Sequence, residues 1–485
     1  MKKRWIRLIV ALLTLSLIGC MFTGCGSEDV QSDPSAVDVI YGSDEDYDDD
    51  DEMIDTATSS SSTGGSGNGG GTTVAGGQNV ETPSQTYHRD EEAAKSFLES
   101  IPKELSGSTV RVLIWWKPGV AETKKAEEFT EKTGINIKFI NSEGTYTQKL
   151  SSMIAQGNPP DLACIQQEMF PSTIMQDYFE PLSKGKFDLS DPIYDLDTMN
   201  EYKYKDTYYG AMVKGSTMIT FSFLGYNADI FSKAGVKTPN QLWKEGNWNW
   251  DTFVSTCQDI MNKSDVEAAV TSEYQGNVLV QSAGTDAVKI DNGKMINNCS
   301  DTKLLTAWQF INDLQDRYKV FDAGMNSRGF YEGRAAMLIA DNYSMQKGDT
   351  LESNMVYEWG YAPLPCPKGS SFTVPSVIKL WGLPKGTKNA EAASYWLRYW
   401  LDSTYDVEGY ETWINDEVAD FNAWLWEQPK TFANFKSVVN YGGNYSWTEM
   451  TAKLAGCGAE NVKSELDSWS GVIDANIAKM EKEFG

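Results

Sequence analysis

Histidine is nearly missing from this chain. His88 is the one copy in 485 residues, and it lies ahead of the folded part, in the stretch that reads as a linker. That excludes a Ser-His-Asp triad, a Cys-His dyad and a histidine-bound zinc from the folded part. Cysteine is sparse. Beyond residue 92 stand Cys164, Cys257, Cys299, Cys366 and Cys457, no two close enough for a CxxC metal or redox signature. Five free, mostly buried thiols are expected. Positive charge is short as well, with 42 Lys plus Arg against 68 Asp plus Glu and a net charge of −26. This argues against nucleic acid as a partner and against adhesion to anionic lipid. The apolar run at 8–19, "LIVALLTLSLIG", falls short of the roughly 20 residues of a membrane span. Carboxylate-pair catalysis is the enzyme class that these absences leave standing.

What is present begins with "MKKRWIR", four basic residues and no acid, followed by that short apolar run. A basic region, a short apolar core and a small residue before a cut describe a secretory signal peptide. "LIGC" at 17–20 resembles the lipobox of bacterial lipoproteins, in which the cysteine takes a diacylglyceryl group. "FTGC" at 22–25 is a weaker match. The expectation is a signal peptide over 1–19 with Cys20 lipidated, or alternatively over 1–24 with Cys25 lipidated.

Residues 20–92 read as a tether. From 26 to 92 there are 17 acidic residues and one arginine. "DEDYDDDDEMID" is a like-charge block that repels itself, and "SSSSTGGSGNGGGTTVAGG" is a flexible linker composition. Neither buries enough apolar surface to offset the entropy of ordering it. "GSGNGG" satisfies G-x-G-x-x-G literally but follows no strand and opens no helix, so it is not a dinucleotide site. The acidic block lacks the glycine of a calcium loop.

The remainder, 93–485, carries 51 acidic and 37 basic residues, and most of the chain's 16 Trp, 23 Tyr and 19 Phe. Most aromatics are expected in the core. A surplus at strand ends and loops suits a carbohydrate cleft, because a pyranose has an apolar C–H face that lies flat on an aromatic ring. "TVRVLIWW", "INIKFI" and "PDLACI" read as strands. "AETKKAEEFTEKTG", closed by Gly134, and "YTQKLSSMIAQG" read as the helices between them. Strand–helix–strand–helix–strand with short links predicts a parallel sheet with right-handed crossovers and ligands beyond the strands' carboxyl ends. Farther on, "TKLLTAWQFINDLQDRY" and "EAASYWLRYWL" read as amphipathic helices. "VKIDNGKMINN" reads as a hairpin turning at Asn292-Gly293. Trp248 and Trp250 in "NWNWD" read as structural, with Asp251 as N-cap of the next helix.

"VRVLIWW...AEEFTEKTGINIKFI", "YTQKLSSMIAQGNPPDLACI", "YNADIFSKAG", "FYEGRAAMLIADNY" and "WGYAPLPCPKG" occur in this order over roughly 109–401. In this arrangement the chain resembles the type 1 family of extracellular solute-binding proteins, the maltose-binding-protein-like receptors of ABC sugar importers. The resemblance implies an α/β, two-lobe periplasmic-binding-protein-like (type II) fold with hinge-linked, sequence-discontinuous lobes. Crossings fall near 215–223 and 365–377, with a third after "EAASYWLRYWL". Lobe 1 is then about 108–217 and 366–402, and lobe 2 about 218–365 and 403–485.

The resemblance also implies the site. Trp116 and Lys117 follow the first strand, where the family places ligand contacts. Gln167 and Glu168 follow the third, where relatives offer an acid to sugar hydroxyls. Ser216 and Thr217 lie near the first hinge, Tyr343 aligns with a sugar-stacking aromatic, and Trp381 lies in the later hinge. No catalytic residue, metal or cofactor is implied. The expected partners are a carbohydrate, the permease subunits of an ABC importer and, through the lipid, the outer face of the cytoplasmic membrane; a monomer is expected. Two alternatives stay open. One is a surface-tethered glycoside hydrolase, which needs two acids about 5–9 Å apart. The other is a receptor of the same fold for a non-sugar ligand such as a peptide or polyamine.

Overall fold

The computed structural model describes residues 91–485 except 143, 215–218, 273–276, 292, 342–356, 403–420, 422, 423, 426 and 433–435. The lipidation sites Cys20 and Cys25, the tether through residue 90, the site residues Ser216, Thr217 and Tyr343, and the turn residue Asn292 lie outside the described residues, as does most of the third crossing. Glu91 and Glu92, expected as the end of the tether, instead open helix Glu91–Ser100.

The strands are β1 Thr109–Ile114, β2 Asn136–Asn141, β3 Leu162–Gln166, β4 Phe179–Glu180, β5 Gly210–Ala211, β6 Ile219–Asn227, β7 Ala268–Ser272, β8 Val288–Asp291, β9 Lys294–Asn297, β10 Ala335–Asp341, β11 Trp359–Ala362, β12 Val374–Pro384 and β13 Lys430–Phe432. One sheet runs in the order β2-β1-β3-β12-β6-β10-β7. β1 lies parallel to β2 and to β3, with Leu113 opposite Ala163. Helices Val120–Thr133 and Tyr146–Ala155 make the crossovers between them. Gly134 ends the first of these helices with φ +75°, a left-handed conformation that costs a side chain energy and glycine nothing.

β12 carries the hinge. Its first half pairs antiparallel with β6, with Ile378 opposite Ile219. Its second half pairs antiparallel with β3, with Lys379 opposite Gln166. β6 continues into the other half of the molecule, where it pairs antiparallel with β10, and β10 lies parallel to β7. Each lobe is therefore assembled from separated stretches of chain. β6, β7 and β10 are buried at every position, as expected for strands covered on both faces.

Aromatic packing fills both halves. Around helix Ala390–Leu401, Phe129 meets Trp396 at 5.3 Å and Tyr399 at 4.9 Å between ring centroids, and Trp381 meets Trp400 at 4.7 Å. Each such side chain contributes on the order of 1.5–3 kcal/mol by leaving water. In the other half Trp250 stacks on Phe310 at 4.2 Å. The indoles of Trp248 and Trp250 donate to the carbonyls of Pro363 and Pro365.

Three local expectations need correction. Asn249, not Asp251, caps helix Trp250–Lys263: its Oδ1 accepts from the Asp251 and Thr252 amides, and Asp251 sits in the first turn. The pattern at 302–318 is an α-helix only to Asn312, followed by a π turn over Asp313–Arg317. The tail 402–485, which the family resemblance implies as a helical closing segment, also holds a strand, since β13 pairs parallel with the start of β12.

Helix Lys436–Val439 packs on the Gln167–Met169 turn, where Ser437 Oγ donates to the Phe170 carbonyl at 2.7 Å. Asn476, in the long helix Val462–Phe484, donates to the carbonyls of Val438 and Val439. The five cysteines at 164, 257, 299, 366 and 457 are free, four of them buried. Among the described residues no helix is long and apolar enough to cross a membrane.

Candidate ligand-binding site

The sheet register shows where the strand ends gather. Gln166, at the carboxyl end of β3, faces Lys379. The neighbouring Ile378 faces Ile219, at the start of β6. A few residues along β6, Ser222 faces Asp341, at the carboxyl end of β10. The carboxyl ends of the parallel strands in both halves thus converge on the middle of β12. Open α/β sheets bind ligands at such a place.

On the β1–β3 side, two turns supply side chains. After β1 come Trp115 and Trp116, both half-buried, and Lys117, which is exposed. Trp115 stands edge-on to Tyr146 at 5.4 Å, and Lys379 Nζ lies 5.4 Å from the Trp115 ring centroid, within cation–π range. The Tyr146 hydroxyl donates to the Leu113 carbonyl and accepts the Cys164 amide at 2.7 Å, which ties β1 to β3 at this end. Trp116 packs on Trp400 at 6.4 Å with its plane inclined by 25°, and meets Trp381 edge-on at 6.3 Å. Its Nε1 donates to both carboxylate oxygens of Glu122, at 2.9 and 3.1 Å.

After β3, Gln167 and Glu168 form a tight 3₁₀ turn with Met169, and all three are buried. Gln167 Oε1 accepts the Ile378 amide at 3.3 Å, which binds this turn to the hinge strand. Glu168 is only 6 % exposed, and its Oε1 finds no hydrogen-bond partner among the described residues. A buried carboxylate oxygen left so is costly unless another group supplies a donor. Burial pushes the nearby Cys164 thiol well above the usual range, with Lys379 opposing and Glu168 reinforcing the shift. The thiol is therefore protonated at neutral pH, unsuited to nucleophilic work.

Of the residues expected at the site, Trp116 and Trp381 fall in one aromatic cluster, and Gln167 and Glu168 in one turn. Lys117 is on the surface after β1. Trp381 is fully buried: its face of β12 is covered by helix Ala390–Leu401, so it offers no ring to solvent and instead backs Trp116. Ser216 and Thr217 precede β6, and Tyr343 follows β10 by two residues.

Trp115, Tyr146, Glu122 and Lys379 also belong to this neighbourhood. Lys379 had a signal in "VIKLWG", a lone cation inside an apolar strand. Glu122 had one in standing three residues after Gly119, the spacing at which an acid accepts the first amide of a helix.

A family model for "Bacterial extracellular solute-binding protein" matches residues 124–433. Among solved structures, UgpB from Mycobacterium tuberculosis in complex with glycerophosphocholine is 12% identical. It superimposes with a TM-score of 0.57 over 77% of this chain and 100% of its own. The cyclic alpha-maltosyl-1,6-maltose binding protein from Arthrobacter globiformis is 14% identical, with a TM-score of 0.59 over 76% and 98%. A cyclo/maltodextrin-binding protein complexed with maltotetraose is 16% identical, with a TM-score of 0.56 over 76% and 97%. At these identities the likeness is one of fold. No curated protein sequence matches the chain. The family match spans well over half the chain and agrees with two hinge-linked lobes whose strand ends converge on one hinge strand; this protein belongs to the bacterial extracellular solute-binding proteins.

Proposed function

We propose that this protein captures a sugar or oligosaccharide between its two lobes and presents it to the permease of an ABC importer. One pairing supports the reading: the half-exposed Trp116 after β1, and the buried Glu168 after the adjacent β3, with an oxygen that lacks a partner among the described residues. An aromatic face matches the C–H face of a pyranose, and a carboxylate accepts two or more hydroxyl donors. Lys117, Gln167, Ser216, Thr217 and Tyr343 complete the proposed contacts, with Trp381 as support behind Trp116. Two of the similar structures bear malto-oligosaccharide-type names, which favours the same ligand class.

The proposed lobes are about 108–217 with 366–402, and 218–365 with 403–485. The short helix Lys436–Val439, from the second of these lobes, is held against the Gln167–Met169 turn of the first. Closure of such lobes around a ligand is a hinge motion. A lipid on Cys20, or else on Cys25, would hold the receptor at the outer face of the cytoplasmic membrane, and the acidic 20–92 stretch would be its leash.

A thermal-shift screen across oligosaccharides, glycerophosphocholine, peptides and polyamines tests the ligand class, since a ligand that binds only the native state raises Tm. A saccharide is expected to give the largest shift. A shift with peptides or amines alone would assign the fold to a non-sugar ligand, and sugar release from an oligosaccharide would replace the receptor with a hydrolase.

A further inference from the structure

We infer that Glu122 is a positioning residue for ligand capture: its carboxylate locks the Trp116 ring in the orientation that a ligand meets. The inference rests on the reading that Trp116 touches the ligand. Three observations carry it. The Trp116 indole donates to both oxygens of Glu122, at 2.9 and 3.1 Å, a charge-assisted contact stronger than one to a neutral acceptor. Glu122 is itself held, because its Oε2 also accepts the Gly119 amide at 3.0 Å at the start of helix Val120–Thr133. The other side of Trp116 is backed by Trp400 and Trp381.

A tryptophan turns about two side-chain bonds. Packing against Trp400 restricts the tilt of the ring, and the bond to Glu122 selects which edge points toward the helix. A platform fixed before binding loses less rotamer freedom when a ligand arrives. The 117–119 loop is pinned by the same carboxylate, so Lys117 is placed from the same anchor. Helix capping alone would require only the Gly119 bond.

The test uses the wild type, E122A, W116F and the double variant. W116F keeps an aromatic ring and removes the N–H. With a sugar that binds the wild type, calorimetry is expected to show affinity about tenfold weaker in E122A and in W116F, the size expected for a hydrogen bond to a charged group. The double variant should be no weaker than either single one, since both remove the same bond. In 5-fluorotryptophan protein without ligand, the ¹⁹F resonance assigned to Trp116 by its loss in W116F should be a single line in wild type. In E122A it should broaden or split. E122Q, which keeps a neutral acceptor, should fall between wild type and E122A, and it stands in should E122A not fold.

A Trp116 resonance unmoved in E122A or E122Q overturns the inference. So does an affinity loss from E122A that is as large in the W116F background as in wild type. If no sugar binds the wild type, the functional reading falls, and the resonance still decides the role of Glu122.

Discussion

The side-chain oxygen of Gln167 accepts the backbone amide of Ile378 at 3.3 Å, and both residues are buried. This bond joins the turn that carries Glu168 to the strand that crosses between lobes. Under the proposed function, a ligand held at Glu168 would act on the hinge strand through this bond.

Replacing Gln167 with leucine leaves the Ile378 amide without its acceptor in a dry setting. The expected cost is about 1–3 kcal/mol in urea unfolding. Ligand affinity should fall along with stability, because the turn loses its tie to β12. A variant as stable as wild type would show that another group satisfies that amide.

Glu168 should behave in the opposite way. Its Oε1 has no partner among the described residues, so E168Q or E168M is expected to leave the melting temperature unchanged or higher, as when a buried charge is replaced by a matched neutral or apolar group. The same variants should weaken ligand binding by roughly 10-fold or more, because a charge-assisted bond to a hydroxyl is lost. Stability gained with affinity lost marks a residue retained for binding. A stability loss with unchanged affinity would assign Glu168 to the fold.

Trp381 is a test of packing. It is fully buried against Trp400 and Trp116, so W381A should cost about 3–5 kcal/mol, and W381F much less. A loss of binding in W381F at unchanged stability would restore Trp381 as a direct ligand contact.

Much of this frame was readable from local pattern. The alternation of strands and helices from β1 to β3 follows from short-range periodicity and from Gly134 as a helix stop. The buried aromatic face of helix Ala390–Leu401 was visible as a 3.6-residue stripe. What was not readable depends on partners far away in sequence. Trp381 looked available until the register of β12 against β3 set it under a helix. Glu122 stands at a capping distance from Gly119, but nothing local says that an indole six residues earlier turns toward it. The cap of helix Trp250–Lys263 was misplaced by two residues because Asn249 and Asp251 both suit that role, and only the direction of the Asn249 side chain separates them.

Asp286 gives the stability curve a pH dependence. It is buried between the Gln281 amide and the Ala287 N–H, with Lys436 and the Cys299 thiol nearby, and burial raises its pKa to about 7. An unfolded aspartate titrates near 3.9. The native state therefore holds a proton that the unfolded chain has released between about pH 4 and pH 7. The stability from this group is fully present below about pH 4 and is lost as pH rises through about 7. Tm should accordingly decline by several degrees across that window from this group, and D286N should lack that part of the decline. An identical pH profile in D286N would rule out this assignment.

The central claim is sugar capture at the strand ends that meet β12, with Trp116 as platform. Calorimetric titration of mono- and oligosaccharides into wild type and W116A measures it most directly. The account predicts saturable one-to-one binding of at least one saccharide to wild type, and loss of that binding in a W116A protein that still unfolds cooperatively. Equal affinity in both proteins, or no saccharide bound by wild type, would contradict it.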